Sequence, residues 1–104
     1  TVTEANKNYV GSITIDQELI EKAGLWVGEK VLVTSFKNGE RLETYIIAGK
    51  RGSGDICMNG PAANLIKKGE KIVIMGFELT NKKIKPKIVL VDKNNRFKKF
   101  FRNI

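Results

Sequence analysis

Apolar residues recur at alternate positions through most of this chain, in runs only long enough for brief β-strands. "SITID" alternates Ile13 and Ile15 with polar neighbours and leads into "QELIEKAGL". There Leu19, Ile20 and Ala23 share one helical face, Asp16 is placed to cap the helix and Gly24 to stop it. "EKVLVTSFKNGERLETYIIAGK" predicts a hairpin of two β-rich runs around Asn38-Gly39. "RGSGD" is loop, and a short strand follows at Ile56 to Met58. "NGPAANLIKKGE" predicts one helical segment with Pro61 in its first turn and Gly69 past its end. "KIVIMGFELT" and "KPKIVLVDK" predict two more strands joined by a lysine-rich connection, and "NNRFKKFFRNI" fits a short strand, an amphipathic arm or a frayed end. Six or so short strands with two short helices make a mainly β chain, a small mixed barrel rather than a sandwich or a βαβ fold.

One strand is interrupted. In "NYVGSITID", Gly11-Ser12 falls where side chains should pack, and periodicity reads it as a bulge or turn.

Length, charge and cysteine usage narrow the classes. A chain of 104 residues forms one domain, 1–104. No apolar run reaches the length of a membrane span and no stretch resembles a signal peptide, so a cytoplasmic location and no membrane partner are expected. With a single cysteine, Cys57, and no histidine, neither an internal disulfide nor the usual Cys/His metal site can be assembled. The net charge of +8 is confined to one end. Residues 1–81 hold ten Lys/Arg and ten Asp/Glu, whereas residues 82–104 hold nine Lys/Arg and only Asp92. Positions 93–104 read as a basic tail.

Several motifs have plain structural readings. "RGSGDI" lacks the third glycine of a dinucleotide fingerprint and the Gly-Lys-Ser/Thr of a phosphate loop, so it reads as a turn. Cys57, between Ile56 and Met58, reads as a small buried hydrophobe. No two carboxylates lie close enough in sequence to suggest a metal cage or an acid/base couple, and no metal is expected. In "RLETYII", a regular strand puts Arg41, Glu43 and Tyr45 on one face and Leu42, Thr44 and Ile46 on the other. That Arg and Tyr could bind a carboxylate and donate a proton, or simply lie on a solvated face. "FKKFFR" interleaves aromatics and cations like a single-strand nucleic-acid surface or membrane arm, or like a loosely docked terminus.

Taken together, "TVTEANKNYVGSITID", "NGERLETYII", "RGSG", "ICMNGPAANL" and "GEKIVIMGF" resemble the bacterial pyruvoyl-dependent L-aspartate α-decarboxylases, in order and spacing, from residue 1 to about 92. The resemblance implies a small six-stranded double-psi β-barrel with short helices, a homotetramer with sites between neighbouring subunits, and in some members a maturation factor. It implies decarboxylation of L-aspartate to β-alanine and CO2 in pantothenate biosynthesis. It also gives Gly11-Ser12 a purpose, since the precursor of such enzymes cuts itself between these residues. The Ser12 hydroxyl attacks the Gly11 carbonyl, an ester forms as the peptide C–N bond breaks, and β-elimination frees the upstream piece. Water then hydrolyses the remaining dehydroalanine with loss of ammonia, leaving a covalent pyruvoyl group at position 12. That carbonyl takes the substrate amine as a Schiff base and accepts the electrons released with CO2.

Residue by residue, the resemblance implies Ser12 as the pyruvoyl precursor and Tyr45 as proton donor. Gly11, Ser12, Thr44 and Asn59 serve processing, with Tyr9 near the cut. Gly11 is expected because a residue without Cβ tolerates a strained backbone and lets the hydroxyl approach. Arg41, Thr44 and the backbone from Gly60 through Pro61 and Ala62 to Ala63 bind substrate, Arg41 as a planar fork for a carboxylate. The chain departs from the family pattern in lacking the upstream segment with its lysine and histidine. It also carries Pro61 where alanine is usual, which shifts any amide donor to Ala62 or Ala63. Two other readings compete: a non-catalytic barrel binding nucleic acid through the basic tail, a partner the neutral body argues against, and an uncleaved precursor or pseudoenzyme.

Overall fold

Asp16 ends one strand and begins a helix, and much of the architecture follows from how it does so. The computed structural model describes residues 1–102; of the basic tail, Asn103 and Ile104 lie outside the described residues. The strands are β1 (Glu4–Asn6), β2 (Ser12–Asp16), β3 (Lys30–Ser35), β4 (Arg41–Gly49), β5 (Ile56–Asn59), β6 (Ile72–Met75), β7 (Ile88–Val91) and β8 (Phe97–Phe101). Two short helices, α1 (Gln17–Ala23) and α2 (Ala62–Leu65), complete the fold. The Asp16 carboxylate accepts from the Glu18 amide at 2.8 Å to cap α1, and Gly24, left-handed at φ 74°, closes it. The same buried carboxylate accepts from the Gly52 and Gly54 amides at 2.9 and 2.8 Å. The glycine loop therefore folds around the protein's own anion, which is the turn its sequence predicted.

β1 to β6 form one sheet in the order β1-β5-β2-β4-β3-β6. The pairs β1/β5 and β2/β4 are parallel and the others antiparallel. The two edges meet, because Val2 donates to Glu70 O and accepts from Gly69 N just ahead of β1 and β6, closing the sheet on itself. Ile13, Ile15, Val31, Val33, Ile46, Ile56, Met58 and Ile66 fill the interior. This is the mainly β, six-stranded arrangement with short helices expected from the sequence.

The hairpin around Asn38-Gly39 forms as predicted, with five residues between β3 and β4 and Gly39 at φ 72°. Two elements are shorter than predicted: α2 ends at Leu65 because Ile66 turns extended and into the core, and β6 ends at Met75. The end of the chain is a strand. β8 pairs with β7, Phe97 packs on the core, and the turn before it is pinned where buried Asn95 donates to Gly54 O at 2.8 Å. Lys22 lies over the Phe97 ring and Lys87 over Phe100. Among the described residues no helix is long and apolar enough to cross a membrane.

Candidate active site

β5 lies between β1 and β2, with Asn59 opposite Asn6 on one side and Ser12 on the other. The loop from residue 7 to 11 must therefore cross over the end of β5, and it crosses at Gly60. The Gly60 amide donates to Asn6 O at 2.7 Å, and a Cβ added to Gly60 would stand 2.7 Å from Gly11 N and 2.8 Å from Tyr9 O. With φ at +70° as well, the position requires glycine twice over. Gly11 itself does not have the strained backbone expected of it. It is absent from the positive-φ glycines, and a Cβ there would meet nothing nearer than the Pro61 ring at 3.9 Å. The close approach at the Gly11-Ser12 bond is made by Gly60.

Ser12 opens β2 with its side chain turned away from the core residues Ile13 and Ile15, yet it is fully buried. Its Oγ accepts from Asn59 Nδ2 at 2.9 Å, and the same nitrogen donates to Thr14 Oγ1 at 3.0 Å. Asn59 Oδ1 accepts from Cys57 Sγ at 3.2 Å. Cys57 is consequently not the core hydrophobe expected: Ile56 and Met58 point inward and the half-buried thiol faces outward, between polar side chains. Burial, with Glu4 and Asp55 nearby, pushes the Cys57 thiol up, so it stays protonated. The hydrogen-bonded link between Ser12 and Asn59 spans 47 positions of sequence and is invisible to periodicity.

β4 is regular, and its alternation is as read, with Arg41, Glu43 and Tyr45 exposed. Ser12 and Tyr45 each stand one residue before the Ile13–Ile46 pair in parallel strands, so the register brings Tyr45 level with Ser12 on the same outer face. Neighbouring strands lie about 5 Å apart. Arg41 is four residues earlier, about 13 Å away along the strand at the usual rise. Its side chain makes no hydrogen bond or salt bridge among the described residues. Thr44 alternates to the other face, opposite Val31. Glu43 pairs with Lys30 at 3.1 Å, a solvent-exposed contact. Within one chain, then, Ser12, Asn59, Gly60 and Tyr45 gather at one place, while Arg41 and Thr44 do not join them.

Pro61 precedes α2 with its ring against Gly11. Of the two amides left to serve in its stead, that of Ala63 already donates to Gly60 O at 3.0 Å. The Ala62 amide, first in the helix, has no acceptor among the described residues.

The family model described as aspartate decarboxylase matches residues 1–98. The chain belongs to the aspartate decarboxylase family. Among its relatives, the aspartate 1-decarboxylase of Caldicellulosiruptor saccharolyticus is 58% identical, covering 95% of this chain and 80% of that protein. That of Neisseria meningitidis is 53% identical over 94% of this chain and 80% of its own. The Bacillus subtilis aspartate 1-decarboxylase is 47% identical over 99% and 84%. The family likeness read from five collinear segments is thus met across nearly the whole chain. The family match ends at Lys98, two residues into β8.

Proposed function

We propose that this chain is a self-processing aspartate 1-decarboxylase that converts L-aspartate to β-alanine and CO2, supplying pantothenate biosynthesis. The observation that carries the reading is the placement of Ser12: a buried hydroxyl at the start of a strand, held by Asn59 Nδ2 at 2.9 Å, directly after a loop that Gly60 lets cross β5 at close range. A serine fixed beside its own preceding carbonyl has the proximity that an unassisted hydroxyl lacks. Attack by Ser12 Oγ on Gly11 C transfers the acyl group from nitrogen to oxygen; elimination and hydrolysis then leave the pyruvoyl group and release ammonia.

The surroundings of position 12 fit a small carbonyl group. Asn59 Nδ2 is a donor already aimed there, the Ala62 amide is a donor with no acceptor among the described residues, and Ile13 and Met58 wall off the core behind it. When present, the pyruvoyl group supplies an electrophilic carbonyl and an electron sink for loss of CO2. Tyr45, level with position 12 on the outer face, holds the proton that product formation requires. Thr44 is assigned to processing and substrate binding on the family likeness alone, since its side chain lies on the face of β4 opposite to Ser12.

Arg41 binds a substrate carboxylate by its planar fork, and its distance from Ser12 along β4 favours the Arg41 of a neighbouring copy. A homotetramer with sites between subunits accommodates this. Trp26, Phe36, Phe77 and Leu79 are all more than two-thirds exposed in the single chain, an apolar surface that assembly would cover. Residues 1–104 act as one domain in the cytoplasm, cleaved between 11 and 12, with or without a maturation factor. Formation of β-alanine from aspartate by the wild-type chain, and its loss in Ser12→Ala, is the test; persistence in that variant would sink the proposal.

A further inference from the structure

We infer that Thr14 and Cys57 are positioning residues for cleavage at Ser12, because together they fix the orientation of the Asn59 side-chain amide and through it the Ser12 hydroxyl. The inference rests on the self-cleavage reading above. Ser12 and Thr14 on β2 lie opposite Asn59 and Cys57 on β5, and all four side chains face outward because Ile13, Ile15, Ile56 and Met58 face the core. They form a two-by-two patch with Asn59 making three contacts, to Ser12 at 2.9 Å, Thr14 at 3.0 Å and Cys57 at 3.2 Å.

A carboxamide has an oxygen end and a nitrogen end, and hydroxyls do not choose between them. Each can donate or accept, so Ser12 and Thr14 alone would satisfy either orientation of Asn59. A protonated thiol is less accommodating, since it offers one S–H to the oxygen and only a weak acceptor to the nitrogen. Cys57 keeps its proton, as burial raises its pKa. The Asn59 oxygen is accordingly held toward Cys57 and the nitrogen toward Ser12 and Thr14. Thr14, accepting the second N–H, leaves the amide no unsatisfied donor in that orientation.

The orientation matters for the chemistry. With nitrogen facing it, Ser12 Oγ accepts; a lone pair remains for the Gly11 carbonyl, and its own proton is free to pass to the Ser12 nitrogen, which becomes an amine as the peptide C–N bond breaks. With the amide reversed, the Ser12 hydroxyl would point its hydrogen at Asn59 Oδ1, a carbonyl oxygen too weakly basic to take the proton, and away from the Ser12 nitrogen that must receive it. Cys57 and Thr14 make no hydrogen bond to Ser12, and they act through Asn59.

The experiment follows splitting of the full chain after cell-free synthesis, by intact mass against time, in wild type, Thr14→Val, Thr14→Ser, Cys57→Ala and Cys57→Ser. Denaturation midpoints are read in a parallel set carrying Ser12→Ala, so that all remain unsplit. Thr14→Val and Cys57→Ala should split about tenfold more slowly, the rate equivalent of one hydrogen bond; Thr14→Ser should stay near the wild-type rate, and Cys57→Ser, whose hydroxyl serves either end of the amide, should fall between wild type and Cys57→Ala. Rescue by serine without a matching order in the midpoints separates hydrogen bonding from packing. Wild-type rates in Thr14→Val and Cys57→Ala would overturn the inference and leave self-cleavage standing. Thr14→Ser as slow as Thr14→Val, or Cys57→Ser as fast as wild type, would also overturn it, the first as a packing effect and the second because the thiol would then have no orienting role. Slowing at only one position would remove the other residue from the role. A wild-type chain that never splits, whether synthesised alone or in a bacterial extract that supplies a maturation factor, overturns the cleavage reading itself and this inference with it.

Discussion

A side chain on Gly60 would drive into the backbone of Gly11: the added Cβ would stand 2.7 Å from the Gly11 nitrogen and 2.8 Å from its Cα. Gly60→Ala therefore has to displace the loop and also hold alanine at φ +70°. A destabilisation of about 2–4 kcal/mol is expected, with slowed splitting. Gly11→Ala, with ordinary contact at 3.9 Å, should stay within about 1 kcal/mol of the parent. Urea denaturation of both in a Ser12→Ala background measures this without interference from cleavage. Equal midpoints for the two would show that the crossing at Gly60 is not tight.

Asp16 ties the end of the cleavage strand to α1 and to the glycine loop. Burial by itself would raise its carboxyl, but hydrogen bonds from the Gly54, Gly52 and Glu18 amides, with Arg96 nearby, outweigh that and hold it below the usual carboxylate range. Its folded pKa thus lies under the unfolded one. The stability it contributes is present above the ordinary carboxylate pKa and is lost as pH falls through the lowered folded value. Asp16→Asn should cost about 2 kcal/mol at neutral pH and give a flatter stability profile in acid. Denaturation midpoints from neutral pH down to about pH 3, below the ordinary Asp pKa, check both. A variant with the wild-type pH slope would contradict the assignment.

Much of this was legible in the sequence where the physics is local. The Asp16 cap and Gly24 stop are short-range signals, and the exposed Arg41, Glu43 and Tyr45 follow from a strand period of two. The crossing at Gly60 was not legible, because it depends on β1 and β2 flanking β5, a long-range pairing. The same lack misplaced Cys57: an apolar neighbourhood in sequence suggested the core, whereas alternation with Ile56 and Met58 turns the thiol outward. Chemistry at the Gly11-Ser12 bond points to strain at Gly11, whereas the positive φ and the close approach are found at Gly60, across the strand pairing that only the fold supplies. The Ser12–Asn59 pair came through family resemblance, as no pattern within either strand links them.

Processing and turnover should separate at Arg41 and Tyr45. Neither contacts Ser12 in the chain by hydrogen bond, so Arg41→Lys and Tyr45→Phe should split and carry a hydroxylamine-reactive group. Arg41→Lys should raise KM about tenfold by losing the bidentate fork. Tyr45→Phe should lower kcat about 100-fold or more by removing the proton donor. Steady-state β-alanine formation, normalised to the reactive carbonyl, reads both. Failure to split in either variant would move that residue into maturation.

The basic strand separates from the chemistry in a different way. Deleting residues 93–104 would remove Phe97 from the core surface and Asn95 from Gly54, so that truncation should cost about 3 kcal/mol or more. Lys98→Glu with Lys99→Glu reverses two exposed charges and leaves those contacts alone. The double variant should keep wild-type aspartate turnover. A wild-type chain retained on single-stranded nucleic acid at physiological salt, and released by this double substitution, would instead favour a binding role for the strand.

The central claim, that Gly11-Ser12 is a cleavage site whose serine becomes the cofactor, is tested most directly by intact mass of the full-length protein under denaturing conditions, with and without hydroxylamine. The account predicts two pieces split after Gly11, the larger lighter by one ammonia than a chain beginning at Ser12, and shifted by hydroxylamine. A single unreactive mass in a preparation that nevertheless forms β-alanine would contradict it.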